Sequence, residues 1–236
     1  MTGWTSAAAD RGESGKVSDR VHAALRTRIL DGTYPAGEAL PGERRLSEEL
    51  GASRHGVREA LKRLQQANLV AISQGGATRV KDWRRHGGLE LLLAVAADGQ
   101  APPELRAVRA AMEMRACIGA DAARLAATRA DDAQRAQIVA RAEALAQLDV
   151  LEARNAQYEN LWDLVVDASD NVAYRLALTT LVGGQRVAAV DAIAVAAELR
   201  DADAVRALAR AVADGDAPEA ERRARALLDR SIPREA

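Results

Sequence analysis

Residues 41–80 read PGERRLSEELGASRHGVREALKRLQQANLVAISQGGATRV, and this stretch decides the fold of the N-terminal part of the chain. Leu46 and Leu50 lie four positions apart in a first predicted helix, which ends at Gly51 because glycine adopts the left-handed conformation without strain. Ser53 is placed to cap a second helix. The apolar face of that second helix comprises Val57, Ala60, Leu61 and Leu64.

A hairpin is predicted directly after the second helix. Leu69, Val70 and Ile72 lead into the turn signal Gln74-Gly75-Gly76, and Thr78-Arg79-Val80 returns as the paired strand. Helix, tight turn, second helix and hairpin, in this order, form a winged helix-turn-helix. That fold presents one helix to the major groove of duplex DNA and a hairpin beside it.

The polar side chains of the second helix carry the functional signal. Arg54, His55 and Arg58 lie on its first turn and a half, outside the apolar face, so they face solvent or a ligand. The N-terminal residues of a recognition helix meet base edges, and its N-terminus favours phosphate. Gly56 costs about 1 kcal/mol in a helix relative to alanine, and we interpret it as allowing the backbone to approach DNA closely. The alternative is an ordinary solvated face.

Charge is divided unevenly along the chain. The first 85 residues hold 15 basic and 10 acidic side chains, a net charge of +5, whereas the remainder holds 18 and 24, a net charge of −6. The near-neutral total of −1 therefore conceals a basic module joined to an acidic one. This pattern favours a polyanionic partner for the first module alone.

Residues 18–80 resemble the N-terminal domain of the GntR family of bacterial transcription regulators. The match is carried by P-x-E-R-x-L-S at 41–47 and S-R-x-x-V-R-E-A-L-x-x-L at 53–64. The resemblance implies a homodimer on a palindromic double-stranded operator. It also implies DNA contacts from Arg44, Ser53, Arg54, His55, Gly56 and Arg58, with Gln74 and Gly75 at the wing tip.

The 236 residues leave room for one small and one medium domain. We expect a disordered polar tail at 1–15, the winged helix-turn-helix at 16–80, a linker at 81–88 and an all-α effector-binding and dimerisation domain at 89–231. The last is predicted to hold six or seven helices, so the fold is mostly α. No secretion signal or membrane span is evident, which favours a cytoplasmic protein. The single cysteine, Cys117, is expected to be buried.

The C-terminal part resembles the FadR subgroup of the same family, most closely its fatty-acyl-CoA-responsive members. The resemblance is carried by LRAVR at 105–109 with Glu113, and by Ala168-Ser-x-Asn171. Many subgroup members hold a divalent metal through an aspartate and three histidines, and the positions that align with those ligands are Tyr158, Trp162, Val205 and Leu227. None of these can ligate a metal as imidazole or carboxylate do, and no histidine follows His86. We therefore expect no metal and no other cofactor.

The same four residues are candidates for an effector site. Tyr158, Trp162, Val205 and Leu227 either line an apolar cavity or simply fill the core. An acyl chain in such a cavity would gain about 0.8 kcal/mol per buried methylene. Arg109 is the candidate partner for a phosphate or carboxylate. The lost metal ligands favour a fatty acyl-CoA over a metal-chelating organic acid as the small-molecule effector, although a regulator that responds to an organic acid remains an alternative.

Other functional classes were weighed on the same residues. No Ser-His-Asp set is available beyond residue 86, and no glycine-rich phosphate loop follows a strand, so catalysis is not expected. The remaining alternative is a ligand-binding or assembly scaffold that uses its winged helix for protein contacts. Salt-sensitive binding to DNA would separate the two.

Overall fold

The computed structural model describes residues 6–73, 76–92, 103–188 and 191–233. The chain divides into two compact units, Met1–Gly88 and Leu89–Ala236. The wing tip at Gln74 and Gly75 lies outside the described residues.

The first unit contains four helices and two strands within the described residues. These are α1 (Ser6–Leu30), α2 (Glu43–Leu50), α3 (Arg54–Gln66), β1 (Val70–Ala71), β2 (Arg79–Val80) and α4 (Trp83–His86). Helix α1 begins at Ser6, within the stretch expected to be a disordered tail, where three consecutive alanines at 7–9 favour helix. The short α4 lies inside the predicted linker.

The predicted helix signals of α2 and α3 are confirmed. Gly51 ends α2 in the left-handed conformation, with φ 57°, and its backbone N–H donates to the carbonyl of Ser47. The Ser53 hydroxyl oxygen accepts from the backbone N–H of Gly56 at 3.1 Å and caps α3. The predicted apolar face of α3 is buried and packs against α1.

The predicted hairpin forms, and a third segment joins it. Strands β1 and β2 are antiparallel, with Val70 opposite Val80. Ala39 then forms a bridge with Arg79, and the backbone N–H of Leu40 donates to the carbonyl of Thr78 at 2.8 Å. This extra segment precedes α2 in the chain and was not predicted, because its residues carry no alternating apolar pattern.

The second unit is all-α, as predicted. Between Pro103 and Leu228, the described residues form seven α-helices. These are α5 (Pro103–Arg129), α6 (Asp132–Ala146), α7 (Leu151–Ala168), α8 (Val172–Ala188), α9 (Asp191–Leu199), α10 (Ala202–Ala213) and α11 (Ala217–Leu228), and a 3-10 helix (Asp229–Ser231) follows.

The core of this bundle is rich in alanine. Its main cluster joins side chains of α5, α6, α7, α10 and α11, with Ile138, Leu145 and Leu161 among the larger members. Alanine allows close approach of helices but supplies little apolar area at each contact. The prediction of a buried Cys117 is wrong, since this side chain is exposed. It is one residue, or about 100° of helical rotation, beyond the buried Ala116.

Polar contacts tie the helix ends of the bundle together. The guanidinium of Arg135 in α6 donates to the carbonyls of Ala127 and Ala130, at 2.8 and 3.0 Å, near the end of α5. The same group donates to the carbonyls of Val212 and Ala213, at 3.2 and 2.6 Å, at the end of α10. One side chain thus satisfies carbonyls that two helix termini leave without intrahelical partners.

Candidate nucleic-acid interface and ligand site

The N-terminal end of α3 projects polar side chains into solvent. Ser53, Arg54, His55 and Arg58 are all exposed. The first turn of α3 contains no acidic residue, whereas α2, α6 and α7 each begin with one. Backbone N–H groups and arginines therefore meet at this tip without a carboxylate in the same turn, which is the arrangement that attracts phosphate.

Helix α2 contributes charged residues next to this tip. The Arg58 Nε lies 2.6 Å from Oε2 of Glu43, so an ion pair connects α3 to the start of α2. Arg44 is more loosely held, 3.9 Å from Glu48, and its side chain is 77% exposed. Both arginines can exchange a carboxylate for a phosphate because water reaches them and screens their present pairs.

Gly56 lies in the contact between α3 and α1. It is buried, and a Cβ built there would lie 3.4 Å from the Ser53 hydroxyl and 3.5 Å from the Val17 side chain of α1. Packing against α1 therefore accounts for the small residue at this position, and a close approach of DNA to Gly56 stays a prediction.

In the same unit, β2 presents Arg79. This side chain is exposed, and its Nη1 donates to the carbonyl of Gly37 at 3.1 Å. The sequence pattern did not single it out, although a basic residue in the return strand of a wing is a signal for backbone phosphate contact. The predicted wing-tip contacts, Gln74 and Gly75, lie outside the described residues.

In the second unit, the four candidate effector residues lie together. Tyr158, Val205 and Leu227 are at most 1% exposed and belong to one core cluster, and Trp162 packs against it. The rings of Tyr158 and Trp162 meet edge to face, with centroids 6.1 Å apart. In this structure the four side chains pack as core. Arg109 instead forms an ion pair with Glu113 at 2.8 Å on its own helix.

A buried polar network, which the sequence pattern did not point to, lies among these residues. Arg115 of α5 binds Glu198 of α9 in bidentate fashion, with Nη1–Oε1 2.7 Å and Nη2–Oε2 3.0 Å. The Tyr158 hydroxyl of α7 donates to Glu198 Oε2 at 2.5 Å. The Glu198 residue is 0% exposed and Arg115 is 9% exposed.

Burial and charge act in opposite directions on the pKa of Arg115. Burial alone would lower the pKa of the guanidinium, but the adjacent Glu198 carboxylate raises it overall, so Arg115 stays charged. Burial also raises the pKa of Tyr158, and the negative charge of Glu198 raises it further, so the phenol stays protonated and can donate. The network holds one guanidinium, one carboxylate and one neutral hydroxyl.

The helical period contains a signal for this network. Arg115 is four residues after the buried Ala111 and three after Met112, so it falls on the apolar stripe of α5. Glu198 stands between the buried Val195 and Leu199 at helical spacing on α9. A charged residue on an apolar stripe predicts a buried partner of opposite charge, although the stripe alone cannot name that partner.

The donor chemistry at the four aligned ligand positions does not suit a divalent metal. A phenol, an indole and two alkyl side chains offer neither imidazole nor carboxylate. In the parts of the chain that the structure describes, no cluster of three or more His, Cys, Asp or Glu side chains has the spacing of a metal site. None of the described helices is long and apolar enough to span a membrane.

Comparison with known proteins agrees with this architecture. Residues 17–80 match the family model described as bacterial regulatory proteins, gntR family. The HTH-type transcriptional regulator Mce2R of Mycobacterium tuberculosis is 37% identical over 219 residues, which cover 90% of this chain and 89% of that protein. A fatty acid metabolism regulator protein of Shewanella baltica is 40% identical, but over 68 residues and 29% of each chain.

One solved structure reaches a fold-level likeness. It is that of Lar, described as controlling the expression of the Listeria monocytogenes agr system. The TM-score is 0.50 at 14% identity, over 91% of this chain and 94% of that one. This similarity concerns the fold alone.

Proposed function

This chain belongs to the GntR family of bacterial transcriptional regulators, and we propose that it binds a palindromic operator as a homodimer under the control of a small-molecule effector in its C-terminal domain. A GntR-family regulator binds DNA and is not an enzyme, so the finer questions are which residues meet the DNA and what the effector is.

The exposed tip of α3 is the observation that supports the DNA-contact assignment. Arg54 and His55 project from the capped first turn, and Arg58 follows one turn later. We assign base contacts to Arg54 and His55, and phosphate or base contacts to Arg58 and Arg44. Ser53 contributes mainly by capping α3. Gly56 contributes through its backbone and its packing on α1.

The test uses the full chain and duplexes selected from a random DNA pool. Arg54→Ala is expected to lower affinity for the selected site by roughly 5- to 150-fold, which corresponds to about 1–3 kcal/mol for a lost bidentate base contact. Arg222→Ala removes an equally exposed arginine of α11, which pairs with Glu219, and serves as the control. Equal affinities for the two variants would reject the assignment of α3 as the recognition helix.

Salt dependence separates DNA binding from the scaffold alternative. Neutralisation of phosphates releases counterions, so operator affinity is expected to fall steeply between 50 and 200 mM salt, as for other proteins that make several phosphate contacts (about 10³-fold or more for six contacts). If the winged helix served only protein contacts, selection from the random pool would enrich no DNA sequence. Symmetric protection of two half-sites would support the homodimer.

For the effector, we propose a ligand with a long acyl chain. The support is chemical: the positions that hold metal ligands in many FadR-subgroup members carry apolar and aromatic side chains here. The partial match to a fatty acid metabolism regulator is consistent with this class, although it covers less than a third of either chain. The expected result is release of operator DNA by a long-chain acyl-CoA in the presence of a chelator.

A further inference from the structure

The contacts of Glu198 have the geometry of a ligand in a binding site. Its two carboxylate oxygens receive three hydrogen bonds from two helices, two from the Arg115 fork and one from Tyr158. A guanidinium binds a carboxylate through two parallel N–H donors, and this is the arrangement by which proteins hold carboxylate ligands. Here the carboxylate belongs to the chain itself.

A fourth donor lies beside this group. The Nε1 of Trp162 is buried and forms no hydrogen bond within the described residues. Its indole ring packs edge to face on the Tyr158 ring, with centroids 6.1 Å apart. A buried donor without an acceptor is costly, which favours an additional acceptor atom at this point.

Stability does not account for this ion pair. Taking two charges out of water commonly costs as much as their attraction returns, and apolar residues of similar size often serve equally well. The surrounding core is made of such residues, including Leu161, Leu199 and Val205. A guanidinium retained inside an alanine-rich core therefore points to a binding role.

We propose that Arg115, Tyr158 and Trp162 form a binding site for the carboxylate of a small amphiphile, and that Glu198 occupies this site as an internal carboxylate. The apolar side chains around the network would receive the tail of the ligand. This inference rests on the proposed effector control, and it moves the anion-binding role from Arg109, which pairs with Glu113, to Arg115. A ligand carboxylate would replace Glu198 on the same three donors.

The position of Glu198 links ligand binding to a structural change. It lies in the last turn of α9, one residue before Leu199, whose carbonyl accepts from Arg154 Nη1 at 3.2 Å. Helix α9 packs on α7 and on the 3-10 helix that follows α11. Displacement of the Glu198 side chain would break the contacts of α9 with Arg115 of α5 and Tyr158 of α7. The contact of Arg154 with the Leu199 carbonyl does not depend on this carboxylate.

The experiment measures binding to the full chain by calorimetry, using three probes of the same chain length. Laurate carries the carboxylate, dodecanol carries the tail alone, and lauroyl-CoA carries phosphates and a thioester. The main variant is Glu198→Gln, which removes the competing charge but keeps an amide of the same shape. We expect it to bind laurate about tenfold more tightly or better, since a charge-assisted contact becomes available to the ligand. Dodecanol should bind both proteins alike.

Two further variants keep the test independent of folding defects. The double variant Arg115→Met/Glu198→Leu removes both charges and should bind laurate no better than dodecanol. Tyr158→Phe in the Glu198→Gln background should lose part of the gain for laurate and none for dodecanol. If Glu198→Gln is poorly folded, an increase in its thermal midpoint on addition of laurate, larger than that of the wild-type protein, supports the same conclusion.

The outcomes separate the site from the proposed function. The site is overturned if Glu198→Gln gains no affinity for laurate, if dodecanol gains equally, or if lauroyl-CoA alone gains. Release of operator DNA is measured in parallel with laurate and lauroyl-CoA. Tighter laurate binding without DNA release from either protein supports the site and rejects effector control. Release by lauroyl-CoA with an unchanged laurate affinity supports effector control and rejects the site.

Discussion

Two arginine–glutamate pairs in this chain have nearly the same shortest contact distance and opposite surroundings. In the DNA-binding unit, Arg58 and Glu43 are 2.6 Å apart, with side chains 62% and 37% exposed. In the helical bundle, Arg115 and Glu198 are 2.7 Å apart, with side chains 10% and 0% exposed. The contact distance is shared, so the difference in solvent access must determine what each pair does.

At the surface, water and salt compete for both partners, so such a pair contributes little and exchanges easily. Arg58 can therefore turn from Glu43 to a phosphate at small cost. Inside the bundle, neither partner can be left alone without a large penalty. If the proposed ligand site exists, Arg115 would release Glu198 only to another anion, so the buried pair would select ligands that carry one.

The largest expected effect tests the buried pair. Arg115→Met leaves the Glu198 carboxylate without its cation in a dry environment, so the free energy of unfolding should fall by about 3–5 kcal/mol. Urea denaturation of the full chain measures this change. The double variant Arg115→Met/Glu198→Leu should recover most of the loss. A loss below about 1 kcal/mol for the single variant would contradict the burial of this pair.

An intermediate effect compares one glycine from each unit. A Cβ at Gly119 in α5 would lie 2.5 Å from Leu228 Cδ1 and 3.3 Å from the Trp162 ring, so Gly119→Ala should overpack the core and cost roughly 1–3 kcal/mol. At Gly56 the nearest atom would be 3.4 Å away, so Gly56→Ala should be neutral or stabilise by up to about 1 kcal/mol.

Both glycine variants are measured by the same urea titration, with operator affinity as a second readout. Gly56→Ala should leave operator affinity within about twofold of the parent, because the added methyl group faces α1. A large loss of DNA binding with unchanged stability would support the interpretation of Gly56 as a point of close DNA approach.

The smallest expected change concerns the exposed pair. Glu43→Gln should alter the free energy of unfolding by less than about 1 kcal/mol, as for other solvent-exposed ion pairs. Operator affinity should rise, since Arg58 loses its competing carboxylate and the DNA loses a repelling charge. Glu49→Gln, which removes the Arg45 partner on the same helix, is the matched control. A fall in operator affinity for Glu43→Gln would show that Glu43 holds Arg58 in its binding orientation.

The N-terminal unit was largely predictable because its signals are local. The Ser53 cap, the Gly51 terminus and the apolar face of α3 each depend on residues within one or two helical turns. The hairpin followed from its turn residues in the same way. The packing of Gly56 against Val17 of α1 was not predicted, because the sequence neighbours of Gly56 do not reveal a contact with a residue 39 positions earlier.

Of the residues in the proposed ligand site of the C-terminal unit, the sequence pointed to only some. Tyr158 and Trp162 were found through their spacing and the family resemblance, whereas Arg115 and Glu198 are 83 residues apart and meet only in the folded bundle. A single sequence indicates that a charge lies on an apolar stripe, but the fold selects its partner. Arg109 was chosen by alignment, and in the structure its side chain forms an ion pair with Glu113 on the same helix.

The hydrogen bonds of Arg135 to four backbone carbonyls predict how this position tolerates mutation. Its guanidinium reaches backbone carbonyls of two separate helices, which a lysine ammonium, with donors clustered at one point, cannot span. Saturation mutagenesis scored by folding yield should therefore find Arg135 as intolerant of substitution as the buried aliphatic residues. Even lysine, which keeps the charge, should lower the folding yield. The alanine-rich core should in contrast accept many exchanges between small residues. The position of this bundle that tolerates substitution least is therefore expected to be a polar one.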